Sequence, residues 1–315
     1  MPVHNNAREI ARALAAVNAG RSYFREIIVV DDGSSDGSDE VAARLGARVE
    51  RLPAHSGAPA ARNHGARLAS GDVLFFLDAD VVAPLSTLER AATLLDEHPE
   101  YDAAFGSYDD DPDVPTTVSR FRNLLHHYTH QTGNREATTF WTGCGLVRKA
   151  AFDAAGGLDD KWRGLEDIEL GYRLRARGSR ILLDPTLQVK HLKRWTLASM
   201  VRTDLRYRAF LWSRLILAQE GLPNDLNVRT SQRVSVAVSM LAVAMLPLVV
   251  VDVRWTAAIA AMGASIVALN RDFYALLARC GGAAFALLCI PLHIVYFVCA
   301  GLGFALALVE SRVLR

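Results

Sequence analysis

The chain has 315 residues, 51% of them hydrophobic, and a formal charge of +1 from 35 basic and 34 acidic side chains. So even a balance leaves no electrostatic footprint for a nucleic acid, and the four cysteines, Cys144, Cys280, Cys289 and Cys299, contain no C-x-x-C pair that would hold zinc and fit a reduced, cytosol-facing protein. The length leaves room for one soluble α/β domain of about 200 residues ahead of an apolar C-terminal segment.

The opening Met1-Pro2-Val3-His4-Asn5-Asn6 has neither a basic start nor an apolar stretch, so no signal peptide is expected. Pro2-Val3-His4-Asn5 reads instead as the end of a strand whose beginning is absent. A first strand is usually central in a doubly wound sheet, so its truncation is expected to leave an edge unpaired. Strands predicted over 26–30, 47–51, 73–77 and 102–105 alternate with helices over 38–45, 59–69 and 84–98, which gives a mostly parallel sheet flanked by helices. The acidic, proline-containing loop 109–115 then separates a nucleotide half from an acceptor half.

Several strand ends carry chemistry. After the first full strand, Asp31-Asp32-Gly33-Ser34 places acids at a turn into a helix, where a carboxylate can accept hydrogen bonds from a base N–H or a ribose hydroxyl. Arg62, in the small-residue helix opening Gly57-Ala58-Pro59-Ala60-Ala61-Arg62-Asn63, suits phosphate oxygens. The absence of a G-x-G-x-x-G turn and of a Walker lysine loop disfavours a dehydrogenase or a P-loop enzyme. The apolar run 73–77 ends in Asp78-Ala79-Asp80, two carboxylates at the carboxyl end of a buried strand, a pattern suited to Mg²⁺ or Mn²⁺ bridging to a diphosphate.

Farther on, Gly143-Cys144-Gly145 lets backbone approach a ligand, and Glu166-Asp167 opens a helix with acids that either complement its dipole or take a proton from an acceptor hydroxyl. His191, at the head of His191-Leu192-Lys193-Arg194-Trp195, is a candidate to complete a metal site with Asp78 and Asp80. His126 and His130 share a helix face without the glutamate of a zinc protease, and read as acceptor-side surface. From 197 to 217 arginines interleave with Tyr207, Phe210 and Trp212, as in an amphipathic helix at a lipid interface. Charges then vanish over 234–251, 255–270 and 280–309, giving two or three candidate transmembrane helices. The expected domains are 1–195, an interfacial helix and linker over 196–233, and a membrane segment over 234–315.

In this order, Pro2-Val3-His4-Asn5, Asp31-Asp32-Gly33-Ser34, Ala61-Arg62-Asn63, Leu77-Asp78-Ala79-Asp80, Glu166-Asp167 and His191-Leu192-Lys193-Arg194-Trp195 resemble the family 2 glycosyltransferases of the GT-A fold over about residues 1–200. The resemblance implies a nucleotide-sugar donor, commonly a uridine diphosphate sugar, and inversion of the anomeric centre in one displacement. It places His4 against the nucleobase, Asp32 at its edge, Arg62 near the nucleotide, Asp80 on a Mg²⁺ or Mn²⁺ ion, and Asp78 on the ribose or sharing the metal. Asp167 matches the general base, supported by Glu166, and Gly143, Cys144, Arg194 and Trp195 fall on the acceptor side.

His191 departs from the glutamine or arginine of membrane polysaccharide synthases, and few spans leave no obvious channel, which favours single additions over processive synthesis. The expectation is a multi-pass enzyme of the inner membrane, its catalytic domain cytoplasmic, acting on a lipid or membrane-linked acceptor. A polyprenyl-phosphate glycosyl synthase and a non-catalytic nucleotide-binding membrane protein are the rivals.

Overall fold

The computed structural model describes residues 1–218 and 225–313. The expected linker 196–233 and membrane segment 234–315 therefore fall partly outside the described residues. The chain divides into two compact units, 1–113 with 130–193, and 114–129 with 194–315.

In the first unit the elements run β1 (Pro2–Val3), α1 (Ala7–Ala19), β2 (Ile28–Asp31), α2 (Ser38–Arg44), β3 (Arg48–Arg51), α3 (Ala58–Leu68), β4 (Val73–Leu77), β5 (Val81–Val82), α4 (Leu85–Glu97) and β6 (Ala103–Tyr108). After α5 (Thr117–Gln131), most of which belongs to the second unit, come β7 (Cys144–Arg148), α6 (Lys149–Ala154), α7 (Glu166–Ala176) and β8 (Ile181–His191). Helix α1 follows from its apolar spacing: Ile10, Ala13, Leu14 and Val17 fall on one face and are all buried. They join a core with Val29, Leu77, Leu88, Leu94, Leu146 and Leu187.

Strands β1, β2 and β3 form a parallel sheet, and a second sheet runs β4-β7-β6-β8-β5. In the second sheet only β6 and β8 are parallel; β7 inserts antiparallel between β4 and β6, and β5 closes the far edge antiparallel to β8. The parallel, helix-flanked half matches the sequence expectation. The antiparallel insertions are additions that hydrophobic runs do not reveal, because pairing order is a long-range property. Strand β8 runs unbroken from Ile181 to His191, and its register against β6 shifts at Gly106. A Cβ on Gly106 would lie 1.8 Å from the Leu187 carbonyl oxygen, so only glycine fits that approach. The first strand, β1, is two residues long and pairs with β2. Between β2 and β4 lies a cavity of about 150 Å³, lined by Met1, Ile28, Val30 and β4.

The second unit is helical: α8 (Leu197–Thr203), a π-helical turn (Asp204–Ala209), α9 (Phe210–Leu217), α10 (Thr230–Met245), α11 (Leu248–Val251), α12 (Trp255–Leu269) and α13 (Arg271–Val313). Its core gathers Phe121, Leu124, Trp195, Met200, Phe273, Leu277 and Phe285. Two stretches, Thr230–Val251 and Arg271–Val313, are long and apolar enough to cross a membrane by length and composition. The expected middle span has only the 15 residues of α12, about 22 Å at 1.5 Å per residue and short of a hydrocarbon core of about 30 Å. Helix α13 is broken at Gly282, whose φ of 81° lies outside the helical region.

Candidate active site

The carboxyl ends of β2 and β4, the loop before β7 and the start of α7 carry most of the expected residues. Asp32 follows β2 and is 2% exposed. Its Oδ1 accepts from the Ser56 amide at 2.6 Å and its Oδ2 from the Gly57 amide at 2.8 Å, with His55 Nδ1 also 2.8 Å from Oδ2. The sequence reading gave Asp32 to a base edge; here its carboxylate holds the loop ahead of α3. His4 Nδ1 lies 2.8 Å from the Asp32 carbonyl oxygen, and the His4 and His55 rings stand 4.1 Å apart at 32°. Two exposed imidazoles on a buried, pinned aspartate form the aromatic surface at this end of the sheet. His55 was missed in the sequence because the motif around Arg62 was read from Gly57 onward.

Gly57 sits at φ +99°, and a Cβ there would fall 2.6 Å from the Arg163 guanidinium carbon. That guanidinium in turn donates to the Ser56 carbonyl.

Arg62, expected near the nucleotide, is 7% exposed and directs one amino group to Asp78 Oδ1 at 2.5 Å and the other to Glu166 Oε1 at 2.9 Å. Burial works against its charge, but Asp78 and Glu166 outweigh that, and its pKa is raised. Arg62 thus ties the end of β4 to the start of α7. Glu166 is completed by the Gly164 amide on Oε2 at 2.6 Å.

Asp167 differs from its neighbour. It is half-buried, its Oδ1 accepts from the Ile168 amide at 2.8 Å, and its Oδ2 lies 3.4 Å from the Thr142 amide. Burial first, and then the adjacent Glu166 charge, push its carboxyl up to about 7 against the pull of Arg62. A carboxylate that gains and loses its proton near neutrality suits general base work. Asp167 reaches the β4 end through β7, since Leu77 pairs with Cys144 and the Asp78 amide lies 3.5 Å from the Gly143 carbonyl oxygen. A Cβ on Gly143 would strike the Trp141 ring at 2.3 Å. Cys144 is fully buried, and burial pushes its thiol up, so it is a packing group and not a reactive one.

Ala79 is buried while Asp78 and Asp80 on either side are half-exposed. The short β5 pairs Val81 with His191, which brings Asp80 Oδ2 to 3.5 Å from His191 Nε2. Burial opposes the charged form of Asp80, but His191 and Lys193 prevail and hold its carboxyl below the usual range. His191 lies flat on Tyr108, with centroids 4.2 Å apart and planes 7° apart, and Tyr108 meets Trp141 edge-on at 5.0 Å. Neither Tyr108 nor Trp141 was singled out in the sequence, although Trp141 stands two residues ahead of Gly143.

The expected metal trio is not gathered as one group: Asp80 and His191 are paired, while Asp78 faces Arg62. Carboxylate with imidazole is nevertheless a donor set that accepts Mn²⁺ or Mg²⁺ beside phosphate oxygens. In the second unit, Arg194 is exposed, and Trp195 is 8% exposed, its amide donating to Ser119 Oγ at 2.8 Å and its ring lying 5.5 Å from Arg122. His130 is buried with Nδ1 2.8 Å from the Gly106 carbonyl oxygen, an internal position at odds with the surface role expected for it.

The chain is 28% identical over 229 residues to the pre-mycofactocin glycosyltransferase of Mycobacterium tuberculosis, covering 66% of this chain and 45% of that protein. It is 35% identical over 103 residues to the glycosyltransferase AglE of Haloferax volcanii, covering 30% of this chain and 34% of AglE. The chain thus spans less than half the length of these curated relatives. Among solved structures, the mannosyltransferase PcManGT of Pyrobaculum calidifontis, in complex with GDP-Man and Mn²⁺, superposes with a TM-score of 0.63 over 96% of this chain and 85% of that one, at 20% identity, a likeness of fold. Residues 1–156 match the profile of glycosyl transferase family 2, and the chain belongs to that family.

Proposed function

We propose that this chain transfers a glycosyl group from a nucleoside diphosphate sugar to an acceptor hydroxyl with inversion at the anomeric carbon. The observation that carries this is Asp167, a half-buried carboxyl pushed up to about 7 at the start of α7, held through Thr142 beside the strand end that carries Asp78 and Asp80. The acceptor O–H gives its proton to Asp167, its oxygen bonds to the anomeric carbon, and the bond from that carbon to the diphosphate oxygen breaks as the nucleoside diphosphate leaves. Asp167 needs its raised pKa to hold the proton during attack, and burial together with the adjacent Glu166 charge keeps it high.

The base of the donor lies against His4 and His55. Asp80 and His191 would hold a divalent cation, which, when bound, neutralises charge growing on the departing diphosphate. The family resemblance favours uridine diphosphate. The GDP-Man of the archaeal mannosyltransferase makes guanosine diphosphate the first competitor. The two long apolar helices support a membrane-linked acceptor. A phosphate acceptor, as in polyprenyl-phosphate glycosylation, needs little base assistance, so the environment of Asp167 favours a hydroxyl.

Calorimetry of the detergent-purified chain with UDP and GDP, with and without Mn²⁺, followed by turnover assays with the sugar donors of the base that binds, tests this reading. Tight, metal-dependent binding of one nucleotide together with transfer that collapses in Asp167→Asn supports it. Binding without transfer, unchanged by Asp167→Asn, returns the chain to a nucleotide-binding role.

A further inference from the structure

Asp32 orients two imidazoles at once. His4 Nδ1 lies 2.8 Å from the Asp32 carbonyl oxygen, and His55 Nδ1 lies 2.8 Å from the Asp32 carboxylate. Carbonyl and carboxylate oxygens only accept, so each neutral ring carries its proton on Nδ1 and presents the bare lone pair of Nε2. A second contact assigns His4 the same way: the side-chain nitrogen of Asn5, which only donates, meets His4 Nε2 at 3.1 Å. That amide is fixed in turn, because Asn5 Oδ1 accepts from the Ser35 amide at 2.8 Å.

An Nδ1–H held by a backbone carbonyl or a carboxylate is the arrangement that aims a histidine at a metal. Here two such rings stand 4.1 Å apart, and a ring nitrogen of each lies with an Asp32 carboxylate oxygen inside a group no more than 4.8 Å across. Both imidazoles are exposed, so an ion reaches them from solvent. The Asp32 carboxylate behind them is buried, and among the described residues its one ion-pair partner is His55. Neutral His55 leaves that buried charge uncompensated, which favours a cation close by. The donor atoms choose the ion: paired imidazole nitrogens suit Zn²⁺, whereas Mg²⁺ and Mn²⁺ prefer oxygen ligands.

We propose that His4 and His55 bind Zn²⁺ through their Nε2 atoms, with Asp32 as the positioning residue, and that the bound ion excludes the donor's base from the same two rings. The metal site stands on His4, Asp32 and His55 alone. The exclusion rests on the base position proposed above.

The untagged full chain, purified in detergent and stripped of metal, is titrated with Zn²⁺ by calorimetry, with Asp80→Asn as host so that the Asp80–His191 pair does not contribute. The expected result is a saturable Zn²⁺ site whose affinity falls by at least about 100-fold on adding His4→Phe or His55→Phe, each of which keeps a ring and loses the ligand nitrogen. Both positions are exposed, so circular dichroism is expected to stay unchanged. Equal Zn²⁺ affinity in host and variants, or no saturable binding, overturns the metal site. With Asp80 restored and Mn²⁺ present, nucleoside diphosphate affinity is then measured at free Zn²⁺ concentrations set by a chelator. It is expected to weaken in proportion to free Zn²⁺ in the wild type and to lose that dependence in His55→Phe. Nucleotide affinity indifferent to Zn²⁺ in the wild type overturns the exclusion. Zn²⁺ bound at the histidines of a chain that takes up no nucleotide supports the metal site and counts against the transfer reading instead.

Discussion

Arg62 donates to Glu166 at 2.9 Å and leaves the adjacent Asp167 to two backbone amides. Two acids next to each other in sequence therefore occupy different electrostatic settings, one neutralised by a buried guanidinium and one pushed toward neutrality. Separation of this kind assigns acid and base roles within a site.

The pH profile follows from that separation. Only deprotonated Asp167 accepts a proton, so kcat/KM is expected to rise with pH through about 7 and to level off above it. Stability runs the other way. The folded state holds the Asp167 proton more tightly than the unfolded chain, so this contribution is fully present below about pH 4 and is lost as pH rises through about 7. Asp167→Asn, a neutral isostere, is expected to lower kcat by about 10²- to 10⁴-fold while leaving Tm at pH 8 equal to or above that of the wild type. A Tm decrease at pH 8, or an unchanged kcat, contradicts the assignment.

Removing Arg62 tests the bridge itself. Arg62→Met leaves Glu166 buried without its counter-charge, and breaking a buried ion pair from one side typically costs about 3–5 kcal/mol. Urea unfolding is expected to show that loss, with Arg62→Lys intermediate because a point charge cannot serve Asp78 and Glu166 as the fork does. Arg62→Met also raises Asp167 further, since Arg62 is the charge that lowers it. The activity of Arg62→Met is therefore expected to have its acidic limb displaced to higher pH, while Arg62→Lys, which keeps the charge, shifts it less.

Much of this geometry was legible in the sequence, for a physical reason. A five-residue apolar run is a buried strand, so acids directly after it must stand at the strand's end, and Asp78 and Asp80 do. Acids opening an amphipathic helix are likewise readable, and Glu166 and Asp167 begin α7. Pairings that join distant segments were not. Nothing local to Val81 announces that it pairs with His191, nor does any pattern around His55 announce that its ring nitrogen meets Asp32. Arg62 was read as a phosphate ligand because an arginine on a small-residue helix suits one. Its two acidic partners come from β4 and α7, and only the tertiary fold shows that they reach it first.

The β5–β8 register makes Asp80 and His191 a unit. Asp80→Asn is expected to abolish the Mn²⁺ dependence of nucleoside diphosphate binding measured by calorimetry, weakening the metal–nucleotide complex by on the order of 100-fold. His191→Gln keeps a hydrogen-bonding group but loses the ring stacked on Tyr108, so it is expected to weaken metal-dependent binding less and to lower stability modestly. Equal nucleotide affinity with and without Mn²⁺ in the wild type contradicts the pairing of this site with a metal.

Gly57 gives the sharpest test of the base-binding end. Its amide is one of two that pin Asp32, its φ of +99° is one that side chains resist, and an added Cβ would meet Arg163 at 2.6 Å. Arg163 is a flexible side chain that can yield, so the strain in Gly57→Ala is chiefly backbone, about 1–3 kcal/mol. If the backbone relaxes instead, the Ser56 and Gly57 amides leave Asp32, His55 loses its fixed partner, and the ring beside His4 is freed. Nucleotide affinity is then expected to fall while the pH dependence set by Asp167 is unchanged, because α7 is not part of that loop. Calorimetry and a pH-rate profile on the same variant separate the two ends of the site: a shifted profile would mean that the base-binding loop and Asp167 are coupled, and that the site acts as one strained whole.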